Sequence, residues 1–440
     1  MTLRSLLRSR QAAGDPVLVG IVGAGQMGEG LAITMERMEG MKACVIVDRG
    51  SGRSAEIYRA AGVEEGRIVQ TDDLDRAAEA IADGRRVHTT NPALASAPPL
   101  HITVEATGIP EMGAKVAIGA IEAGKHVMQM NVEADATVGA LLRHRAREAG
   151  VIYSLSGGDE PGAIAELYEF ATLLGYDVMS VGKGKNNPLI PSANPDTMAE
   201  TARRQMMNPK MLASFVDGSK TMMEMTTISN ALGYLPDRRG MHGPEVTPDT
   251  LASTYIPQEE GGILSGPNRV DYGRGVAPGV FVVFTTDHPK LIRDLVYLKV
   301  GDGPYWALYR PYHLTSLETP ISIAKAVLRR ETTLATDRPP SAETVTIAKR
   351  DLRSGDRIDE IGGFCVYGVI ERADVARREN LLPLGLATGA RIVNHLGAGT
   401  PITYADVELD EPSTITCLRR QQDALVFGEN AGAAPRGESL

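Results

Sequence analysis

Short apolar runs at 17–22, 43–47, 102–106, 126–130 and 151–155 alternate with segments at 26–38, 54–61, 111–123 and 135–149 whose apolar positions recur at helical spacing. The runs predict strands buried on both faces, and the segments between them predict helices. Alternating strand and helix in this way predicts a parallel sheet covered on both sides. The stretch 84–99, rich in Thr, Asn, Ala and Pro, reads as a loop. The first fifteen residues predict an amphipathic helix and lack the apolar core of a signal peptide.

The pattern changes after Ser156. A helix is expected over 161–174, a strand over 177–185, a long Met-rich helix over 209–232 and a strand over 280–285, with Gly/Pro-rich loops between the last two. These form an α+β second domain at 156–304, after a dinucleotide-binding domain at 1–155 to which 305–330 is expected to return. Residues 331–342 read as a polar linker, 343–425 as a small β-rich domain, and 426–440 as a disordered tail. The fold class is α/β, with a doubly wound Rossmann-type sheet first.

Composition narrows the function. The 440 residues carry a net charge of −9 and no basic block, which argues against a nucleic-acid partner. Cys44, Cys365 and Cys417 are scattered, so no zinc site or disulfide framework is suggested. No apolar run reaches membrane-spanning length, and a cytoplasmic location is expected.

The first strand ends in G-A-G-Q-M-G over 23–28, a helix follows, and the next strand ends in Asp48. This is the order of a dinucleotide-binding unit. Gly23 permits the tight turn, Gly25 lets the backbone approach a pyrophosphate, and Gly28 lets helix and strand pack closely. Gln26 and Met27 open the helix whose N–H groups face the phosphates. Asp48 favours NAD(H) by accepting from ribose hydroxyls, whereas Arg49 and Arg53 are suited to a 2′-phosphate.

Ligands bind beyond the carboxyl ends of such strands, which places Thr107, Gly108, Asn131 and Glu133 by the nicotinamide. For Glu133, capping a helix is an equal alternative. In S-G-G-D-E-P-G, Asp159 and Glu160 either cap the helix opened by Pro161 or face the cleft as acid, base or metal ligands. Lys183, Lys185, Asn186 and Asn187 form a cradle for phosphate or carboxylate, or a solvated loop. Lys220, Glu224 and Thr227 share a helix face. Turned into the cleft, Lys220 protonates or polarises a substrate oxygen and Glu224 orients it; turned outward, they are a surface pair. Ser229 and Asn230 add polar substrate contacts, and His242 reads as a loop residue.

These segments, with V-E-A-T-G, G-K-H-V-M-Q-M-N-V-E-A-D and G-K-G-K-N-N-P-L, resemble homoserine-dehydrogenase-like oxidoreductases, most closely the 1-deoxy-D-xylulose 5-phosphate reductoisomerase-like branch. Homoserine dehydrogenases carry Asn-Lys where this chain has Asn131-Val132, which argues against homoserine as substrate. A-K-R-D-L-R-S-G-D-R-I-D over 348–359 and G-A-G-T-P-I-T-Y-A-D-V over 397–407 resemble a SAF domain. The resemblance implies a phosphorylated keto-sugar substrate, skeletal rearrangement followed by hydride transfer, and Mg or Mn held by Asp159 and Glu160. Together with Arg49 and Arg53 it favours NADP(H) over NAD(H). The expected partners are a phosphorylated small molecule and a second copy of the chain in a homo-dimer. A simple dehydrogenase of a hydroxy-aldehyde or sugar-derived alcohol and a non-catalytic nucleotide sensor are the rival readings.

Overall fold

The aliphatic runs Val17–Val22 and Met41–Val47 are almost wholly buried, as strands covered by helices on both faces must be. They lie at the centre of a seven-stranded sheet ordered Ile68–Gln70, Arg86–Thr89, Met41–Val47, Val17–Val22, Ile102–Glu105, His126–Gln129, Tyr153–Leu155, with every pairing parallel. The structure is a computed structural model and describes residues 1–428. Part of the stretch expected to be a loop at 84–99 is the strand Arg86–Thr89. Its sequence, R-V-H-T, has a single aliphatic residue, and pairing with Met41–Val47 overrides that weak pattern.

The second sheet is mixed, in the order Tyr305–Arg310, Val280–Thr285, Asp177–Lys185, Arg269–Arg274, Leu235–Pro236. Tyr305–Arg310 pairs antiparallel with Val280–Thr285, so it belongs here and does not return to the first domain as expected. The following helix, Thr319–Arg329, does return: Ile323, Ala324 and Ala326 join the core around Val17–Val22. The long helix expected at 209–232 is two helices, Pro209–Val216 and Ser219–Leu232. The break is Asp217-Gly218, where Gly218 has φ 96°, outside the helical region.

The C-terminal part forms two antiparallel strand pairs, Ala342–Ala348 with Val366–Arg372 and Arg391–Ile392 with Val407–Glu408. It does not hang from a free linker. Met222, Met223, Met225 and Ile228 share one core with Ala342, Ile370, Leu382 and Leu384. The chain then ends the described region in a helix, Thr414–Phe427, which packs on the helices Pro110–Glu122 and Val132–Glu148 of the first domain. This corrects the expected domain end at 425 and the start of the tail at 426; residues 429–440 of that tail lie outside the described residues. Among the described residues no helix is long and apolar enough to cross a membrane.

One buried ion pair ties the C-terminal domain to the helix break. Lys349 Nζ donates to Asp217 Oδ2 at 2.8 Å, to the Ala193 carbonyl at 2.7 Å and to the Gly363 carbonyl at 2.8 Å. Both side chains are almost fully buried. Removing one partner of such a pair strands the other charge, so Lys349→Met is expected to cost about 3–5 kcal/mol in chemical denaturation. A loss below about 1 kcal/mol would mean that this contact does not fasten the domain.

Candidate active site

The glycine turn has the geometry its sequence anticipates. Gly23 has φ 109°, and a Cβ there would stand 2.8 Å from the Ala106 carbonyl oxygen. A Cβ on Gly28 would lie 1.9 Å from the Gly23 carbonyl oxygen, so only glycine lets helix and strand approach this closely. A Cβ on Gly25 would meet nothing within 4 Å. Gly25 caps the helix Gln26–Arg37 with no side-chain bond, so no cap side chain occupies the first-turn N–H groups. A pyrophosphate fits this cradle. Asp48 ends the adjacent strand half-buried, Arg49 is exposed, and Arg53 lies 3.6 Å from Glu29.

Met27, Thr107 and Gly108 reach the wall of a cavity of about 730 Å³. Asn131, expected beside them, instead caps a helix: its Oδ1 accepts from Ala134 N at 3.0 Å, and its Nδ2 donates to the Ile109 carbonyl at 2.9 Å. Ser229 and Asn230 also lie off the cavity. Ser229 Oγ donates to the Tyr234 carbonyl, while Asn230 Oδ1 accepts from the backbone of Ser341 and Ala342. The buried end of the helix uses these polar groups to satisfy the neighbouring chain, so they are not substrate contacts.

The remaining expected residues converge. Asp159 is the N-cap of the helix Glu160–Leu173 but makes no capping bond, and both carboxyls line the cavity. Lys183 and Lys185 are two apart on the strand Asp177–Lys185 and so share its face. Lys183 Nζ donates to Glu160 Oε1 at 2.5 Å and also to Glu224. Lys220 Nζ donates to Glu133 Oε1 at 3.0 Å. The pairing expected from helical spacing, Lys220 with Glu224, is thus replaced: each bonds a partner from another element. Lys183 is thus paired with two carboxylates and does not join Lys185, Asn186 and Asn187 in a phosphate cradle. Lys185, Asn186 and Asn187 line the cavity, with Lys185 Nζ donating to the Phe215 carbonyl at 2.6 Å.

Four buried carboxyl groups, Glu133, Asp159, Glu160 and Glu224, therefore face two ammonium groups, the buried Lys183 and the partly buried Lys220. The protons distribute accordingly. Burial, then the charges of Glu160 and Glu224, push Asp159 well above the carboxylate range. Burial and Glu160 likewise raise Glu224. Burial would raise Glu160 too, but Lys183 and His313 overcome it and hold Glu160 below its usual value. Both lysines are raised against the effect of burial by their carboxylates. Lys185, without a carboxylate in contact, is pushed down by burial to about 8. Neighbouring carboxyls are thus pushed in opposite directions, Asp159 up and Glu160 down, beside two lysines held up by their carboxylates, the kind of separation that acid–base chemistry uses.

The carboxylate oxygens of Asp159, Glu160 and Glu224 lie within 4.8 Å of one another, a spacing suited to a divalent ion. The Lys183 ammonium, however, bonds two of the three and stands where such an ion would be held. These residues therefore do not fit a resident metal.

Sequence reasoning overlooked His313 and the C-terminal wall of the cavity, and left the role of Glu133 open. His313 lies on the cavity wall with Nε2 3.6 Å from Glu160 Oε2. Its Nδ1 is 2.8 Å from the Pro278 carbonyl, which only accepts, so Nδ1 carries hydrogen and Nε2 faces the carboxylate. Glu133 was weighed equally as a cap; its Oε1 holds Lys220, and its buried Oε2 has no protein partner. Gly385, Thr388, Ser413 and Thr416 close the cavity from the C-terminal part. His242 is a loop residue as expected, with Nδ1 2.7 Å from the buried Asp271.

Family models match three successive parts of the chain. Residues 23–155 match the family model for the NAD binding domain of homoserine dehydrogenase, 158–319 the catalytic domain of oxidoreductase DRL, and 343–408 the SAF domain. Among curated proteins no match is found. Similar solved structures include a probable dehydrogenase from Thermotoga maritima, 14% identical, with 72% of this chain and 90% of that chain covered and a TM-score of 0.40. Another is 1-deoxy-D-xylulose 5-phosphate reductoisomerase from Zymomonas mobilis in complex with NADPH, 19% identical, covering 48% of this chain and 56% of that one, with a TM-score of 0.32. With a homoserine-dehydrogenase-type nucleotide-binding domain, a DRL catalytic domain and a SAF domain, the protein is an NAD(P)-dependent oxidoreductase.

Proposed function

We propose that the protein uses NADPH to reduce a small phosphorylated hydroxy-ketone after shifting its carbon skeleton, as a 1-deoxy-D-xylulose 5-phosphate reductoisomerase-like enzyme does. The observation that carries this reading is the cluster of Asp159, Glu160, Lys183, Lys220, Glu133 and Glu224 in one cavity with Thr107 and Gly108. A rearrangement by retro-aldol and aldol steps removes a proton from one hydroxyl and hydrogen-bonds a carbonyl oxygen as charge develops on it. Neutral Asp159 and the Lys220 ammonium are donors for that oxygen. The unpartnered Glu133 Oε2 is an acceptor for the hydroxyl proton. The nicotinamide, when bound, supplies hydride to the resulting aldehyde. Gly23, Gly25, Gln26, Met27 and Gly28 would hold its pyrophosphate, with Thr107 and Gly108 beside the ring.

The same reading assigns the substrate phosphate to Lys185, Asn186 and Asn187, joined by Lys210 on the same wall. It assigns a 2′-phosphate to Arg49 and Arg53, both near the ribose end of the nucleotide site. The C-terminal wall excludes water from the reacting atoms, which strengthens each charge interaction inside.

Three variants and one assay test the reading. Gly25→Val fills the open cradle without touching the fold, so the dissociation constant for NADPH rises by at least about tenfold while the melting temperature holds. Gly28→Ala, with backbone in its way, lowers the melting temperature instead. Unchanged NADPH affinity in folded Gly25→Val would remove the nucleotide from this turn. With 1-deoxy-D-xylulose 5-phosphate, nicotinamide absorbance falls and NMR of the product shows a branched skeleton; reduction without branching would leave only a simple dehydrogenase. Lys220→Met lowers that turnover by about a hundredfold to ten-thousandfold with NADPH affinity near wild type. A change within about twofold would take Lys220 out of the chemistry.

A further inference from the structure

We propose that Lys183 is the resident cation of this site, that it occupies the place a divalent metal would take among Asp159, Glu160 and Glu224, and that the chain binds no metal there. Three buried carboxyl groups with oxygens within 4.8 Å of one another make an unstable arrangement unless a positive charge stands between them. Lys183 supplies it, bonding Glu160 Oε1 at 2.5 Å and Glu224 at the same time. The strand fixes it in place: Asp177–Lys185 is paired on both sides, with Lys183 opposite Val280 and Tyr272. A metal entering the three carboxylates would have to expel an ammonium whose side chain is only 6% exposed and is bonded to two of them.

An ammonium has three N–H donors, and Glu160 and Glu224 account for two. The third is left for a substrate oxygen, because Lys183 is on the cavity wall. Lys183 then does with a hydrogen bond and a fixed charge what a Lewis-acidic metal does by coordination: it stabilises negative charge developing on a carbonyl or hydroxyl oxygen. The arrangement also suits a class of substrate. An oxygen facing one ammonium takes a single directed bond, whereas two adjacent oxygens of a hydroxy-ketone would be shared between Lys183 and Asp159, which line the same cavity.

The inference rests on this cavity being the reaction site, but its test needs neither substrate nor cofactor and so stands apart from the reading above. Mn2+ is titrated into the metal-stripped protein and free Mn2+ is followed by electron paramagnetic resonance. Wild type is expected to leave the free signal undiminished at micromolar protein, and its melting temperature to be the same with Mn2+ and with a chelator. Lys183→Ala, which leaves the three carboxylates without their cation, is expected to bind one Mn2+ at least about tenfold more tightly than wild type. The added substitution Glu224→Gln should abolish that gain. If Lys183→Ala does not fold, Lys183→Gln keeps the length of the side chain without its charge and offers an amide oxygen to the ion, so the same gain is expected there. One tightly held Mn2+ in wild type overturns the proposal, and so does a folded Lys183 variant that binds Mn2+ no better than wild type.

Discussion

Everything in this site follows from the need to keep buried negative charge matched. Glu133, Asp159, Glu160 and Glu224 are all buried, and an isolated ionised carboxylate in such surroundings is too costly to persist. Lys183 and Lys220 neutralise part of the charge through direct bonds. The rest favours protonation, most of all at Asp159, which has no direct lysine bond and which burial and the charges of Glu160 and Glu224 push well above the carboxylate range.

Holding that balance requires the helix Ser219–Leu232 to sit at one height. Thr221 to Asn230 are all buried, a pattern no surface helix shows. One face carries Lys220 and Glu224 to the cavity. Others meet the SAF sheet, where Gly368 N donates to Ser219 Oγ at 2.9 Å and Thr226 Oγ1 lies 2.8 Å from Thr344 Oγ1. The SAF domain is therefore a structural wall of the candidate site, sharing a core with its helix and lining its cavity. The C-terminal helix fastens that wall to the first domain: Gln422 accepts from Leu141 N and donates to the Thr137 carbonyl, and Arg419 pairs with Glu343 at 2.7 Å.

The glycine turn was legible because its residues lie within six positions: Gly23 and Gly28 each have a backbone reason to be glycine, and Gly25 caps the helix between them with open space where a side chain would stand. The cleft carboxyls and lysines were legible as residue types at strand ends and on one helix face. Their pairing was not. Helical spacing joins Lys220 to Glu224, but Glu133 stands in the first turn of a helix 87 positions away in the chain, and only the packed fold shows that it is nearer. His313 carried no motif at all, following a strand of ordinary composition. The Asp217-Gly218 break was written in the chain as a turn-forming pair but hidden by the Met-rich periodicity around it. Asn131, Ser229 and Asn230 looked like ligand residues because polar groups at element ends serve caps and sites alike.

The proton on Asp159 tests the charge-balance account most directly. Infrared difference spectroscopy of wild type against Asp159→Asn at neutral pH reads the C=O stretch of a protonated carboxyl, and subtraction removes the contributions of other buried acids common to both proteins. The account predicts a protonated-carboxyl band in wild type that disappears in Asp159→Asn and persists well above the pH at which ordinary carboxyls ionise, because burial and the adjacent Glu160 and Glu224 raise this group. A difference spectrum showing only the ionised carboxylate bands of Asp159 at neutral pH would contradict it.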